Sequence, residues 1–159
     1  MTGESYTTRP VGKIITRGRP LMSAEKVLLE SAKAGMLVTC DGNDYKAKKC
    51  TANTRPVGWI SYEDTDYKVR PSDYETPFVS GDPVTIVNGG TFQIYALATA
   101  GTEPLAITIG DYLTSNDDGT LTRFVPNTAS PQYPPVAIAV ESVTIPAGTV
   151  GRVHANSLI

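Results

Sequence analysis

The chain contains one phrase twice, as Gly35-Met-Leu-Val-Thr39 and again as Gly110-Asp-Tyr-Leu-Thr114. Each copy is followed by a turn rich in Asx and glycine and then by a hydrophobic segment: Asp41-Gly-Asn-Asp44 and Val57-Gly-Trp-Ile60 in the first, Asn116-Asp-Asp-Gly119 and Val136-Ala-Ile-Ala-Val140 in the second. This order of strand, turn and strand is typical of a β-meander. The sequence therefore predicts a mainly β protein with a compact body that resembles a β-barrel or a β-sandwich.

The remaining elements follow from turn and cap signals. Strands are expected from Gly35 onward, and Asn88-Gly89 is the strongest hairpin signal between them. One short helix is predicted over residues 23–34, because Ser23 can cap its first turn and Gly35 would end it. Residues 1–22 are polar and interrupted by Gly and Pro, which predicts an extended N-terminal arm. Residues 23–159 would form the β-rich body, either as sub-lobes at 35–78 and 79–159 or as one intertwined unit.

The charge distribution suggests a protein partner. Residues 1–34 carry six Lys or Arg against three Glu, whereas residues 71–159 carry two Arg against eight acidic residues. A basic arm on an acidic body could dock on an acidic neighbour, or it could be a solvated tail with incidental charge. Nucleic-acid binding is disfavoured, because the arm lacks interleaved aromatic residues. No apolar run approaches the roughly 20 residues that a membrane span requires, and the first residues do not resemble a secretory signal. We therefore expect a protein made in a cytoplasm.

Residues that could carry chemistry are few. His154 is the only histidine, and Asp117-Asp118-Gly119 is more simply a turn than a calcium loop, since it lacks the ligand order of an EF-hand. Cys40 and Cys50 flank the first turn, so a disulfide between them and two free thiols both remain open. We expect no catalytic, cofactor-binding or metal-binding residue, and hence no enzyme.

Two regions are candidates for contact with other proteins. Tyrosines offer a large contact area at low entropic cost, and two loops, residues 62–78 and 126–135, contain them. These tyrosines could instead cover the edges of the core. Trp59 is expected in the core. The candidate contact residues in the arm and the loops are Val11, Ile14, Ile15, Arg17, Arg19, Tyr62, Tyr67, Tyr74 and Tyr133.

About half of the chain, residues 79–155, resembles the small capsid decoration proteins of tailed viruses, also called cement or head-stabilisation proteins. The resemblance rests on the order of four pieces, which are residues 79–94, residues 104–121 with Gly110-Asp-Tyr-Leu-Thr-Ser115, Val136-Ala-Ile-Ala-Val-Glu141 and Gly151-Arg-Val-His-Ala155. A weaker echo occupies residues 35–61. Ala137 stands where the family pattern often has glycine, and residues 1–34 are not covered.

This resemblance implies a compact β-rich body, commonly a homotrimer, on the outer surface of an icosahedral capsid. Such a protein bridges neighbouring major capsid proteins and stabilises the shell. The expected partners are the major capsid protein and further copies of this chain, without nucleic acid, membrane or cofactor, and the expected location is the virion of a bacteriophage or related virus. The alternatives are a carbohydrate-binding or fibre-like adhesion protein and, with less support, a trimeric β-fold nucleotide hydrolase.

Overall fold

The computed structural model describes residues 12–52, 54–126 and 134–159. Its strands are, in chain order, β1 (Ile15–Gly18), β2 (Met22–Leu28), β3 (Leu37–Cys40), β4 (Lys46–Lys49), β5 (Gly58–Ile60), β6 (Pro83–Asn88), β7 (Phe92–Thr99), β8 (Leu105–Ile107), β9 (Tyr112–Ser115), β10 (Leu121–Arg123), β11 (Ala137–Ala139), β12 (Val143–Ile145) and β13 (Val150–Ser157). Within those ranges, the one helical element is a 3₁₀ turn at Asp117–Gly119. The described residues therefore contain no helix of the length and hydrophobicity that a membrane span requires. The prediction of a mainly β fold is confirmed.

The first barrel is built from strands β2 to β6. They are hydrogen-bonded in the order β2-β4-β3-β5-β6, and β6 returns to pair with β2 and close the barrel. The pairs are antiparallel except for β2 and β4, which run parallel. Buried apolar residues of these strands, such as Val38, Ala47 and Ile60, fill the core.

The second barrel repeats this strand order. Strand β7 pairs with β10, β10 with β9, β9 with β11 and β11 with β13, and β13 returns to pair along β7. Again the first strand runs parallel to the third, here β7 to β10. Two additions distinguish this barrel, since β8 and β12 form a separate antiparallel pair and β1 is added to the outer edge of β7.

Matching backbone hydrogen bonds show that the repeated phrase occupies the same place in both barrels. In each barrel, the N–H of the glycine that begins the phrase donates to the carbonyl of the last residue of β5 or β11. The N–H of the residue that follows β4 or β10 donates to the carbonyl of the residue two places after that glycine. The pairs are Gly35 to Ile60 and Gly110 to Ala139, both 2.8 Å, then Cys50 to Leu37 at 3.0 Å and Phe124 to Tyr112 at 2.8 Å. The repeat therefore forms two barrels, and the first extends to Asn88 instead of ending at residue 78.

The predicted helix at residues 23–34 is wrong. Residues 22–28 form β2, which is paired with β6 from Met22 opposite Asn88 to Val27 opposite Pro83. The cap and end signals at Ser23 and Gly35 are local preferences that long-range strand pairing overrides. The last two residues of β2, Val27 and Leu28, also pair with β4, so β2 joins two other strands of the barrel.

The structure also places part of the predicted arm in the body. Residues 1–11 lie outside the described residues, but Ile15–Gly18 form β1 and pair with β7. Ile14, directly before β1, is completely buried. An apolar side chain gains free energy by leaving water, so the spot at Ile14 and Ile15 belongs to the body rather than to an arm.

Candidate interaction surface

The segment that leads into β1 is held by a half-buried carboxylate. The backbone N–H groups of Ile14 and Ile15 donate to the two carboxylate oxygens of Glu63, at 2.7 and 3.2 Å. Burial raises the pKa of Glu63 above its ordinary value, and the two N–H donors partly counter that rise because they stabilise the charged form. The first described residues of the chain are therefore fixed against the loop that follows the first barrel's β5.

A polar groove lies beside this segment. It has a volume of about 530 Å³, and Lys13 and Arg19 line it together with Glu63 and Asp64. Arg17 is exposed nearby on β1. Charges of both signs in one concave surface suit a charged protein segment better than an apolar ligand.

The tyrosines of the loop over residues 62–78 differ in exposure. Tyr62 is buried, its hydroxyl donates to the carbonyl of Pro71 at 2.6 Å, and the guanidinium of Arg70 lies over its ring at 5.3 Å. Tyr74 is half-buried and meets Tyr62 edge to face, with ring centroids 6.3 Å apart. Tyr67, by contrast, is 73% exposed. Of these three, Tyr67 is the side chain that a partner can reach.

Arg152 joins this loop to the second barrel. Its guanidinium lies between the rings of Tyr74 and Tyr95, 4.9 and 5.4 Å from their centroids. It donates to the carbonyl of Tyr95 at 2.7 Å, to that of Tyr74 at 2.9 Å, and to the carboxylate of Glu75. The ring of Tyr95 also contacts His154, at 5.0 Å between centroids. Sequence reasoning missed this cluster, although an arginine within the apolar alternation of β13 was a signal for it.

The predicted contact residues thus fall into three groups. Arg17, Arg19 and Tyr67 are exposed, Ile15 and Tyr74 are half-buried, and Ile14 and Tyr62 are buried inside the chain. Ile14 and Tyr62 pack inside the chain and offer a partner almost no surface, because they are 0% and 6% exposed. Val11 and Tyr133 lie outside the described residues.

Exposed apolar residues elsewhere were not predicted. The most exposed are Leu21, Met22, Tyr45, Val79, Ile109, Val150 and Tyr112. Each lies at the start of a strand or in a turn, where the sequence pattern does not distinguish a solvent-facing side chain from a core one. Scattered exposed apolar residues are normal, so only those that share a face indicate contact.

Trp59 and Cys50 are buried in the core, and neither cysteine forms a disulfide. Trp59 is completely buried, and its indole N–H donates to Ser157 Oγ at 2.9 Å, which confirms the prediction that it belongs to the core. Cys40 and Cys50 are free thiols, and burial raises the pKa of Cys50 to about 12. In the part of the chain that the structure describes, His, Cys, Asp and Glu side chains form no group of three or more that could hold a metal ion.

No protein-family model and no curated protein sequence matches the chain. Among solved structures, the chain is similar to the N base of head fiber gp8.5 in bacteriophage phi29, with a TM-score of 0.49 and 20% sequence identity. The similarity covers 86% of this chain and 92% of that one. A likeness of this extent does not establish a shared function.

Proposed function

We propose that this chain is a structural protein of a tailed-virus virion. It binds the outer surface of the icosahedral capsid as a homotrimer, bridges neighbouring major capsid proteins and stabilises the shell. No residue is assigned a catalytic role or a cofactor in this proposal, and neither nucleic acid nor membrane is a partner.

The observation that carries the proposal is where the resembling segments lie. Residues 79–94 supply β6 and the start of β7, residues 104–121 supply β8, β9 and the 3₁₀ turn, residues 136–142 supply β11, and residues 151–155 lie within β13. Apart from β6, which closes the first barrel, these strands are neighbours in the second barrel or in the pair attached to it. The likeness to capsid decoration proteins therefore covers most of the second barrel together with the strand that closes the first.

The exposed basic and aromatic residues provide the contact in this proposal. Arg17 and Arg19 are exposed beside the polar groove, and Tyr67 projects from the loop over residues 62–78. Eleven residues precede Gly12, and an extended chain of that length spans at most about 40 Å. That reach is sufficient for contact with an adjacent capsid protein. Many copies on one shell would multiply weak single contacts.

The experiment is co-sedimentation with empty shells assembled from the major capsid protein of the same genome. We expect the full chain to bind these shells and to raise the temperature at which they disrupt. The double variant Arg17→Glu, Arg19→Glu should bind at least tenfold more weakly, and added salt should weaken binding of the wild type. Arg55→Glu, which also reverses an exposed charge but lies outside the proposed contact, serves as the control and should bind like the wild type. A chain that does not sediment with the shells would contradict the proposal.

One alternative has lost its main candidate residue. A carbohydrate-binding or adhesion protein would present aromatic rings to its ligand, but Trp59 is buried and bonded to Ser157. Binding to a glycan array that depends on Tyr67 would favour this alternative. Turnover of nucleoside triphosphates by the pure protein would favour the nucleotide hydrolase.

A further inference from the structure

The two barrels have equivalent surfaces that differ in what covers them. Gly35 and Gly110 begin the repeated phrase and make matching hydrogen bonds, so Leu37 and Tyr112, two residues further on, occupy equivalent positions. Leu37 is completely buried, whereas Tyr112 is 51% exposed. Val38 is buried as well, and successive residues of a strand point to opposite faces. Both faces of β3 are therefore covered, whereas one face of β9 is open.

The same difference recurs on the neighbouring strand. Trp59 lies opposite Leu37, and Ile138 lies opposite Tyr112. Trp59 is completely buried, and Ile138 is half-buried. We call the surface around Leu37 and Trp59 the covered face. The surface around Tyr112 and Ile138, with Ile109 64% exposed beside them, is the open face.

The second barrel covers the covered face with its 3₁₀ turn and the end of β13. The N–H of Gly119 donates to the carbonyl of Cys50 at 2.7 Å, and Ser157 accepts the indole N–H of Trp59. The turn approaches so closely that a Cβ on Gly119 would lie 2.8 Å from the carbonyl oxygen of Leu37. This contact is heterologous, because a turn of one barrel meets a sheet face of the other.

The first barrel carries the corresponding turn, and it is exposed. Residues 41–45 connect β3 to β4, as residues 116–120 connect β9 to β10. Tyr45 directly precedes β4, near the place that Gly119 takes in the second barrel, and it is 75% exposed. The chain thus presents an open face on its second barrel and an exposed turn, without a partner surface among the described residues, on its first.

We propose that the open face of the second barrel binds the turn at residues 41–45 in the first barrel of another copy of this chain. The contact between copies then repeats the contact between barrels within the chain. A heterologous contact closes into a ring when its rotation allows it, and three copies would make a ring of six barrels. This inference rests on the self-association in the proposed function, but not on capsid binding.

The side chains of the open face are compatible with that contact. The open face presents aromatic and aliphatic side chains, and aromatic residues such as Tyr112 and Tyr45 are favoured in the centres of protein interfaces. Arg123 occupies the position equivalent to Lys49, which borders Gly119 in the internal contact, and its guanidinium donates to the carbonyl of Ala106 at 3.3 Å.

The test measures mass in solution, without shells, for three single variants. We expect the wild type to assemble over a range of concentrations, and Tyr112→Arg and Tyr45→Arg each to be monomeric. Val79→Arg, at an exposed apolar residue that belongs to neither surface, should assemble like the wild type. Circular dichroism shows whether each variant is folded. If Tyr112→Arg does not fold, Ile138→Lys, opposite Tyr112 on the same face, replaces it.

Mixing the two monomeric variants gives the decisive result. Each variant keeps the surface that the other has lost, so an equimolar mixture should form a one-to-one dimer and stop there. A mixture that stays monomeric, a monomeric wild type, or assembly that survives Tyr112→Arg would overturn the inference. If the wild type assembles and the mixture forms the dimer, but the chain does not bind shells, the capsid proposal fails while this inference stands. If the wild type is monomeric and still binds shells, this inference fails while capsid binding stands.

Discussion

Arg152 is a buried cation whose hydrogen bonds cross from the second barrel to the loop over residues 62–78. Its carbonyl partners at Tyr74 and Tyr95 would lose a charged donor if the guanidinium were removed. A hydrogen bond from a charged group contributes about 1.5–3 kcal/mol, and a buried acceptor without a partner carries a desolvation cost. The ion pair with Glu75 adds less, because the Glu75 side chain is half exposed and its charge is screened.

We predict that Arg152→Ala lowers the free energy of unfolding by about 2–4 kcal/mol, since two carbonyl contacts and the packing between two rings are lost. Urea unfolding measures the change. Arg17→Ala, at an exposed arginine on β1, is the control and should change the free energy by about 0.5 kcal/mol or less. A loss below about 1 kcal/mol for Arg152→Ala would show that the loop is held by other contacts.

Glu63 gives the stability a pH dependence of known sign. Because its pKa is raised in the folded protein, the folded state binds a proton more tightly than the unfolded state. The contribution of Glu63 to stability is therefore greatest at low pH. It declines as pH rises from the ordinary pKa of 4.5 through the higher folded-state pKa.

We predict that the stability of the wild type relative to Glu63→Gln falls as pH rises above the ordinary pKa of 4.5 and through the higher folded-state pKa. Urea titrations at several pH values give this difference. Asp73 should show the opposite slope, because hydrogen bonds from Thr76 lower the pKa of its carboxyl group. The stability of the wild type relative to Asp73→Asn should therefore rise as pH rises through the acidic range. A difference for Glu63 that is flat or rises with pH would contradict the prediction.

Among the secondary-structure elements, the repeated phrase and the turn signals predicted strands from Gly35 onward, whereas β1, β2 and the short β12 were missed. Asx and glycine turns, alternation and β-branched residues are local signals that short stretches of sequence contain. Strand β2 has no such signal, because its partners are β6 and β4 and its residues are mostly exposed. The information that makes it a strand lies in other parts of the chain.

Gly35 and Gly110 form a matched pair for measuring the contact between the barrels. Both have φ near +90°, where a side chain is strained by about 1–2 kcal/mol. A Cβ on Gly35 would lie 2.7 Å from the carbonyl oxygen of Tyr95, whereas a Cβ on Gly110 would meet no described atom within 4 Å. The two glycines thus share one backbone strain and differ in their surroundings.

We predict that Gly35→Ala destabilises the chain by at least about 1 kcal/mol more than Gly110→Ala, because only the first methyl group overlaps the other barrel. Thermal and urea unfolding of both variants provide the comparison. Equal losses would mean that the barrels separate at little cost to relieve the overlap.

For the chain as a unit, the β class and the duplicated meander could be predicted, but the closing of each barrel could not. Closure depends on pairs such as β7 with β13, whose residues are far apart in sequence and carry no shared motif. The candidate contact surface was predicted in part for a similar reason. Composition identified the tyrosine loop and the basic segment, whereas burial decided that Tyr62 faces inward and Tyr67 outward.

Truncation separates the residues before β1 from β1 itself. We predict that a chain lacking residues 1–20 is less stable than one lacking residues 1–11 by about 3 kcal/mol or more, because only the longer deletion removes Ile14 and β1. Unfolding of both truncated chains measures the difference, and Ile14→Ala in the full chain should reproduce much of it. Equal stability of the two truncated chains would show that β1 contributes little to the body.

The pairing of β1 with β7 has a consequence for the nascent chain. Strands β2 to β6 are contiguous in sequence, so the first barrel can close as soon as Asn88 has left the ribosome. Ile14 and β1 emerge earlier but must wait for Ile94, the residue opposite Ile15, to be translated. Until then, β1 and the apolar side chain of Ile14 have no partner beside a finished barrel. The first of the described strands to be synthesised is thus among the later ones to pair, and misfolding through its unpaired edge would compete with translation.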